Sequence, residues 1–482
     1  MHEWTREEIQ RIGYAVVDLI ADHLSGIEQR PVFRPVPDDL ARTLLSAPVP
    51  HEGASADSIL AEFRDTIEPY PFGNGHPRFW GWVNSPPSVM GVFADALSAA
   101  MNPSCAGGNH AAIYLERQVL NWFRSILGFP TEAMGLLVSG GSMATLTALA
   151  VARHVKSGVD VRSDGLRGAP RAFGFYGTAE THGCVRKAIE LLGFGSAAIR
   201  TIATGDDFRM DVQALEGRLS ADRRDGVQPL AVVATAGTTN TGAIDDLDAI
   251  AAVCRRHDVW LHVDAAYGGP AILTAEYGDR LRGISHADSV AVDPHKWLFV
   301  PVEAGLVFVR DADHMRNAFS LVPPYLRAAA GVGGLPWFSE YGFQQTRGFR
   351  ALKVWMTMKQ AGVNGLRAAI DGNLALARYL SDCVTSAADL ELMAPPGLSV
   401  VCFRLLKPPL DDSALDTFNR VVLERLQLSG EAFLTGTELR GRFVLRACIV
   451  NYRSRRGDID RMLAALRSIG RDLAGLKPCA TS

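Results

Sequence analysis

The hydrophobic pattern changes character twice along the chain. Near the start, Ile9, Ile12, Ala15 or Val16, and Leu19 recur at helical spacing, which predicts an amphipathic helix. The stretch RPVFRPVPDDL follows. Its prolines block helix and central strand, so it is expected to run extended over a surface. An exposed amphipathic helix needs a partner face, on its own chain or on a second subunit.

From about residue 86, short apolar runs alternate with helical patterns. One unit is legible in detail. PLAVVAT reads as a buried strand and AGTTNTGAI as a turn-rich loop. Asp245 or Asp246 can then cap a helix carrying Leu247, Ile250, Ala251 and Cys254 on one face. Arg255, Arg256 and His257 fall at its C-terminal end, where the helix dipole favours cations. VWLHV is the next strand. Strand, helix, strand at this length is a βαβ unit, so the fold class is α/β with a mostly parallel sheet covered on both faces. From about 366 the pattern shifts again, with LSVVCFRL and RFVLRACIV as strands among helical segments. This predicts a smaller α+β domain. The chain thus divides into an N-terminal segment over 1–85, a large domain over 86–365 and a small C-terminal domain over 366–482.

Composition narrows the function classes. The 482 residues are 48% hydrophobic and 21% charged with a formal net charge of −3, so no basic excess points to nucleic acid or an anionic membrane. Seven cysteines (105, 184, 254, 383, 402, 448 and 479) lie scattered without CxxC or zinc-type spacing, which reads as free thiols in a reducing compartment. The opening residues lack the basic flank and unbroken apolar core of a signal peptide, and no apolar run approaches the ~18–20 residues of a membrane span. A cytoplasmic protein is expected.

Ligands of open parallel sheets bind beyond the carboxyl ends of the strands, so chemistry is sought there. Lys296 follows SVAV and Pro294 and precedes the apolar Trp297–Val300. An ammonium in such surroundings is costly, which predicts a pKa falling toward neutrality and an amine able to form Schiff bases. Asp264 ends VWLHV, and the small Ala265 and Ala266 after it leave room for a flat ring. Gly140, Gly141, Ser142 and Thr145 lie where a strand turns into a helix, a ready anion cup. His182 opens a helix after another strand and could stack on a ring. Each has a plain alternative: a snorkelling lysine, a capping carboxylate, a tight turn, a surface histidine. In this order at successive strand ends, they describe a pocket for pyridoxal 5′-phosphate, with Lys296 holding its aldehyde and Asp264 its protonated ring nitrogen.

The stretches HPRFWGWVNSPPS, SGGSMATLTAL, TAETHGCVRKA, HVDAAYGG and DPHKWLFVP resemble the group II pyridoxal-phosphate-dependent amino-acid decarboxylases, and within them the aromatic-L-amino-acid decarboxylase branch. The resemblance runs from about residue 70 to 455. It implies an aspartate-aminotransferase-like fold (type I) and a homodimer whose N-terminal segments interlock. It implies that Lys296 is the Schiff-base lysine, Asp264 the ring-nitrogen partner and His182 the stacking residue. Gly140, Gly141 and Ser142 would contact phosphate, and Thr238, Ala266, Asp293 and His295 would line the cofactor. His76, Trp82, Val83 and Asn84 would face the substrate. Tyr325, in LVPPYLRAAAGVGGLPW, would reprotonate the α-carbon from a mobile loop.

The sequence also departs from the family. Asp293 stands where many animal aromatic decarboxylases have asparagine, and NPSCAGGNHAA has small residues where those enzymes carry bulky aromatics. The expected activity is decarboxylation of an L-amino acid, aromatic by resemblance, to its amine. An oxygen-dependent aldehyde synthase, a decarboxylase of glutamate, cysteine sulfinate or 2,4-diaminobutyrate, and a catalytically silent cofactor-binding regulator stay open. In aldehyde-forming relatives phenylalanine often replaces the loop tyrosine, so Tyr325 favours simple decarboxylation.

Overall fold

PLAVVAT becomes the interior of β4 (Gln228–Thr235), buried from Pro229 onward because layers of helix cover both faces of its sheet. The computed structural model describes residues 3–169, 171–321 and 335–475. The other strands of this sheet are β1 (Met134–Val138), β2 (Phe173–Thr178), β3 (Ile199–Ile202), β5 (Trp260–Asp264), β6 (Ser289–Val292) and β7 (Gly305–Val309). Their order is β1-β7-β6-β5-β4-β2-β3. Only β7 runs antiparallel to its neighbours, pairing Val138 with Gly305 on one side and Val292 with Leu306 on the other. The C-terminal ends of β1, β2, β4, β5 and β6 therefore open on one edge of the sheet.

The predicted βαβ unit forms as read. Asp246 caps the helix Leu247–Arg256, its carboxylate accepting from Ala249 N at 3.1 Å, and Leu247, Ile250, Ala251 and Cys254 are buried. At the far side of the sheet, β1 is fixed by a buried ion pair. Glu116, fully buried, accepts from Leu137 N at 3.2 Å, while Arg347 donates to Glu116 Oε2 at 3.1 Å, Leu137 O at 2.7 Å and Cys105 O at 2.8 Å. Each charge satisfies the other, and removing one partner from such a pair typically costs about 3–5 kcal/mol.

The chain forms two compact units. One comprises Val83–Ser381 and Ala394–Cys402 and contains the seven-stranded sheet. The other gathers the residues up to Trp82, Asp382–Met393 and the chain from Phe403 onward. The opening segment and the C-terminal part thus share a unit, whereas the sequence pattern suggested divisions at 85 and 365.

The second unit holds most of a smaller sheet of order β10-β11-β9-β8, from β8 (Leu390–Leu392), β9 (Val400–Leu405), β10 (Thr435–Leu439) and β11 (Arg442–Cys448). Its apolar centre joins distant pieces of sequence: Phe79 and Phe433 stack at 4.9 Å, with Val32 buried against them. Val32 belongs to the proline-rich connector expected on a surface. Its N–H donates to Gly430 O at 2.8 Å, so this residue of the connector is structural core. The N-terminal helix Arg6–Gly26 starts with a reciprocal cap between Thr5 and Glu8 and buries no residue; Ile9 is 60% and Tyr14 67% exposed.

Candidate active site

The loops leaving β1, β2, β4, β5 and β6 enclose a cavity of about 270 Å³. After β1, Gly140 takes φ +142, a backbone that glycine adopts freely, and lies against Gly305. A Cβ on Gly305 would sit 2.3 Å from Gly140 Cα, so two glycines are needed for this close approach. The helix Gly141–Lys156 then begins, and its first-turn N–H groups have no partners within the helix. With Ser142 beside them they form a cup suited to an anion. A Cβ on Gly141 would come within 2.9 Å of Asp293 Oδ2, so the carboxylate lies directly against the cup.

After β6 comes the one-turn helix Pro294–Trp297, with proline at the position where a missing N–H costs nothing. Trp297 anchors it, fully buried, stacked on Tyr267 at 5.2 Å and donating from Nε1 to Asn373 Oδ1 at 2.9 Å. This fixes Lys296, whose Nζ lies 3.0 Å from Asp293 Oδ2. The expected fall in its pKa is overturned. Burial pulls the amine downward, but the charges of Asp293 and then Asp264, with the Asp293 hydrogen bond, outweigh it and raise the pKa. The sequence showed the apolar neighbours and not the two facing carboxylates. His295 is held from outside the cavity, with its Nδ1 2.8 Å from Ala304 O.

After β5, Asp264 Oδ1 accepts from Ala266 N at 3.1 Å, which aims the carboxylate along the strand end. After β2, His182 caps the helix Gly183–Leu191, Nδ1 accepting from Cys184 N at 3.2 Å. In a neutral ring that hydrogen bond leaves the proton on Nε2. Cys184 is pushed up to about 11 by burial and by the Asp264 charge, so it stays a thiol. Burial also raises Glu180, against a hydrogen bond from Asn240 that works the other way.

Gly140, Gly141, Ser142, His182, Asp264, Ala266, Asp293, His295 and Lys296 all line this one cavity. A phosphate-sized cradle that side chains would fill, an acid at one strand end and an amine at another fit pyridoxal 5′-phosphate. The family model described as the pyridoxal-dependent decarboxylase conserved domain matches residues 37–406. The chain belongs to this decarboxylase family. An aromatic-L-amino-acid decarboxylase of Bacillus atrophaeus is 35% identical over 479 residues, 98% of either chain. A phenylacetaldehyde synthase of Arabidopsis thaliana is 29% identical, covering 92% of both. The solved structure of Oryza sativa TDC with PLP and tryptamine superposes with a TM-score of 0.91 at 28% identity, over 98% of this chain and 99% of that one. The protein is a PLP-dependent decarboxylase of the type I fold, and pyridoxal 5′-phosphate is its cofactor.

Other residues expected at the decarboxylase site are placed less simply. Thr239 lines the cavity, whereas Thr238 is buried in the turn, bonded to Thr241 Oγ1 at 2.8 Å and Ala243 N at 3.1 Å. Val83 is buried and Asn84 partly so, and neither is among the lining residues. His76 and Trp82 belong to the other unit. There His76 is fully buried and pulled down to about 4 by burial and by Arg78, and Trp82 packs on Phe72 at 4.8 Å. Tyr325 lies outside the described residues. Sequence reasoning missed Glu180, Cys184 and Tyr267 on the cavity wall. Glu180 and Cys184 flank His182 at two residues' distance, a position next to a strand end that could have flagged them.

Proposed function

We propose that this decarboxylase converts an aromatic L-amino acid to its amine and carbon dioxide, working as a cytoplasmic homodimer. The observation that carries the reading is the convergence of Lys296, Asp264, His182 and the Gly140–Ser142 cup on one cavity at the carboxyl edge of the sheet. When bound, pyridoxal 5′-phosphate supplies an aldehyde and a protonated ring that accepts the electron pair left by the broken α-carbon bond. In the proposal the cup N–H groups and Ser142 take the phosphate. Asp264 keeps a proton on the ring nitrogen, His182 covers the ring face, and Lys296 provides the amine. Ala266, Asp293 and His295 complete the cofactor wall. Tyr325 from its phenolic oxygen, or His182 from Nε2, returns a proton to the α-carbon in place of the lost carboxylate. His76, Trp82, Val83 and Asn84 are assigned to the substrate by resemblance alone.

The aromatic class is supported by the names of the similar proteins from Bacillus atrophaeus and Arabidopsis thaliana. The latter also keeps aldehyde formation as a second reading. Apolar side chains that the helix Arg6–Gly26 leaves exposed, Ile9 and Tyr14 among them, support the dimer, with the segment 1–85 as its interlock. Among the described residues, no helix is long and apolar enough to cross a membrane. Recovery from the cytosolic fraction of disrupted cells would check the location. For the substrate, carbon dioxide release is measured from phenylalanine, tyrosine, tryptophan and 3,4-dihydroxyphenylalanine against glutamate, cysteine sulfinate and 2,4-diaminobutyrate. The best aromatic substrate is expected to exceed the best of the others in kcat/KM at least tenfold. A preference for any of the latter would replace the aromatic assignment.

A further inference from the structure

Asp293 occupies a position where an aspartate ordinarily caps a helix. It precedes Pro294–Trp297, yet its side chain makes no capping bond. Its carboxylate is 2% exposed; Oδ2 points to Lys296 Nζ at 3.0 Å and Oδ1 has no hydrogen-bond partner among the described residues. A buried carboxylate that neither caps a helix nor fills its acceptor sites costs stability, which calls for a role outside folding. The same oxygen that meets Lys296 also abuts the Gly141 cup.

We propose that Asp293 is the counter-ion that sets the protonation state of Lys296 before cofactor arrives, holding the amine as an ammonium and making cofactor capture depend on loss of that proton. The proposal rests on Lys296 being the cofactor lysine. For Nζ to attack an aldehyde carbon, one N–H bond breaks, its electron pair stays on nitrogen and the proton leaves to solvent. Other groups also face this amine. Asp264 from the end of β5 favours the charged form, and Cys184 from the helix after β2 would do so only as a thiolate. His295 Nε2 lies 4.0 Å from the Asp293 carboxylate and competes for it only when protonated. His182 and Glu180 line the same cavity from the loop after β2. Among the described residues, Asp293 is the one of these within hydrogen-bond reach of Nζ, so it dominates over more distant charges.

The test uses the full chain freed of cofactor. Lys296 is acetylated competitively with acetic anhydride across a pH series, and its peptide is quantified by mass spectrometry. In the wild-type protein the midpoint of labelling is expected above the ordinary lysine value of about 10.4. Asp293→Asn, which preserves shape, is expected to lower the midpoint by more than one pH unit. Two units below the wild-type midpoint, the variant should label at least tenfold faster. The rate of pyridoxal 5′-phosphate capture, followed by absorbance, should shift its midpoint in parallel. An unchanged midpoint in a folded Asp293→Asn protein overturns the proposal. If that variant does not fold, a wild-type midpoint at or below the ordinary value overturns it, and one above it upholds it. Labelling needs no cofactor, so this outcome is separable from the identity of the cofactor lysine.

Discussion

His262 lies two residues before Asp264 in β5 and is fully buried. Its Nδ1 is 3.0 Å from Ser289 Oγ and its Nε2 3.3 Å from Thr145 Oγ1. Trp260 Nε1 donates to the same Ser289 hydroxyl at 2.8 Å, so that oxygen must accept from indole and can donate onward to the imidazole. Burial pulls His262 down to about 4, although the Asp264 charge acts in the opposite direction. An unfolded histidine titrates near 6.5, so between about pH 6.5 and 4 the unfolded chain binds a proton that the native protein does not. Stability is therefore lost as pH falls through that window, on the order of 3 kcal/mol for this residue. Asp245, raised to about 6 by burial, works the other way over much of the same range. His262→Gln is expected to flatten the decline. Urea midpoints at pH 7 and pH 5 check it, and an identical pH dependence in both proteins would refute this role. At this scale the sequence picked out Lys296, Asp264 and His182 because each sits at or just after a strand end, and all three line one cavity. It did not reveal the Lys296 charge state, which depends on Asp293 and Asp264 distances that only the fold sets.

Secondary elements were the most legible part of the chain. The helix Leu247–Arg256 followed from an apolar stripe and a pair of acids, of which Asp246 is the cap. Partners were less legible, as with Val32, whose burial against Phe79 and Phe433 joins residues about 400 apart in sequence. The helix Arg6–Gly26 shows the limit in a different way: the helix formed as read, its capping box was not foreseen, and among the described residues it keeps an exposed apolar face of Ile9, Tyr14, Val16 and Val17. A face of that kind is stabilised by association. The chain is thus expected to sediment at about twice 52.0 kDa at micromolar concentration. Ile9→Asp with Tyr14→Asp should weaken association at least tenfold by placing charge in the interface. A wild-type protein that sediments as a monomer, or a double variant that dimerises as tightly, would contradict the interlocking role.

Across the whole molecule, the parallel sheet does the positioning. Successive strands run the same way, so five loops from distant parts of the sequence deliver a cup, a histidine, an acid and an amine to one edge. Alternation of strands and helices announced this arrangement. The grouping of the opening segment with the C-terminal residues was hidden, because it depends on contacts such as the backbone bonds from Trp80 N to Phe433 O at 2.8 Å and from Phe433 N to Arg78 O at 3.0 Å. The central claim is that this assembly removes carbon dioxide from an amino acid and leaves an amine. It is tested most directly by product stoichiometry with the protein loaded with pyridoxal 5′-phosphate, following carbon dioxide, amine, aldehyde, ammonia and hydrogen peroxide together. The account predicts equal amounts of carbon dioxide and amine, no peroxide, and loss of both products in Lys296→Ala. Aldehyde with ammonia and peroxide, or no carbon dioxide from any amino acid, would contradict it.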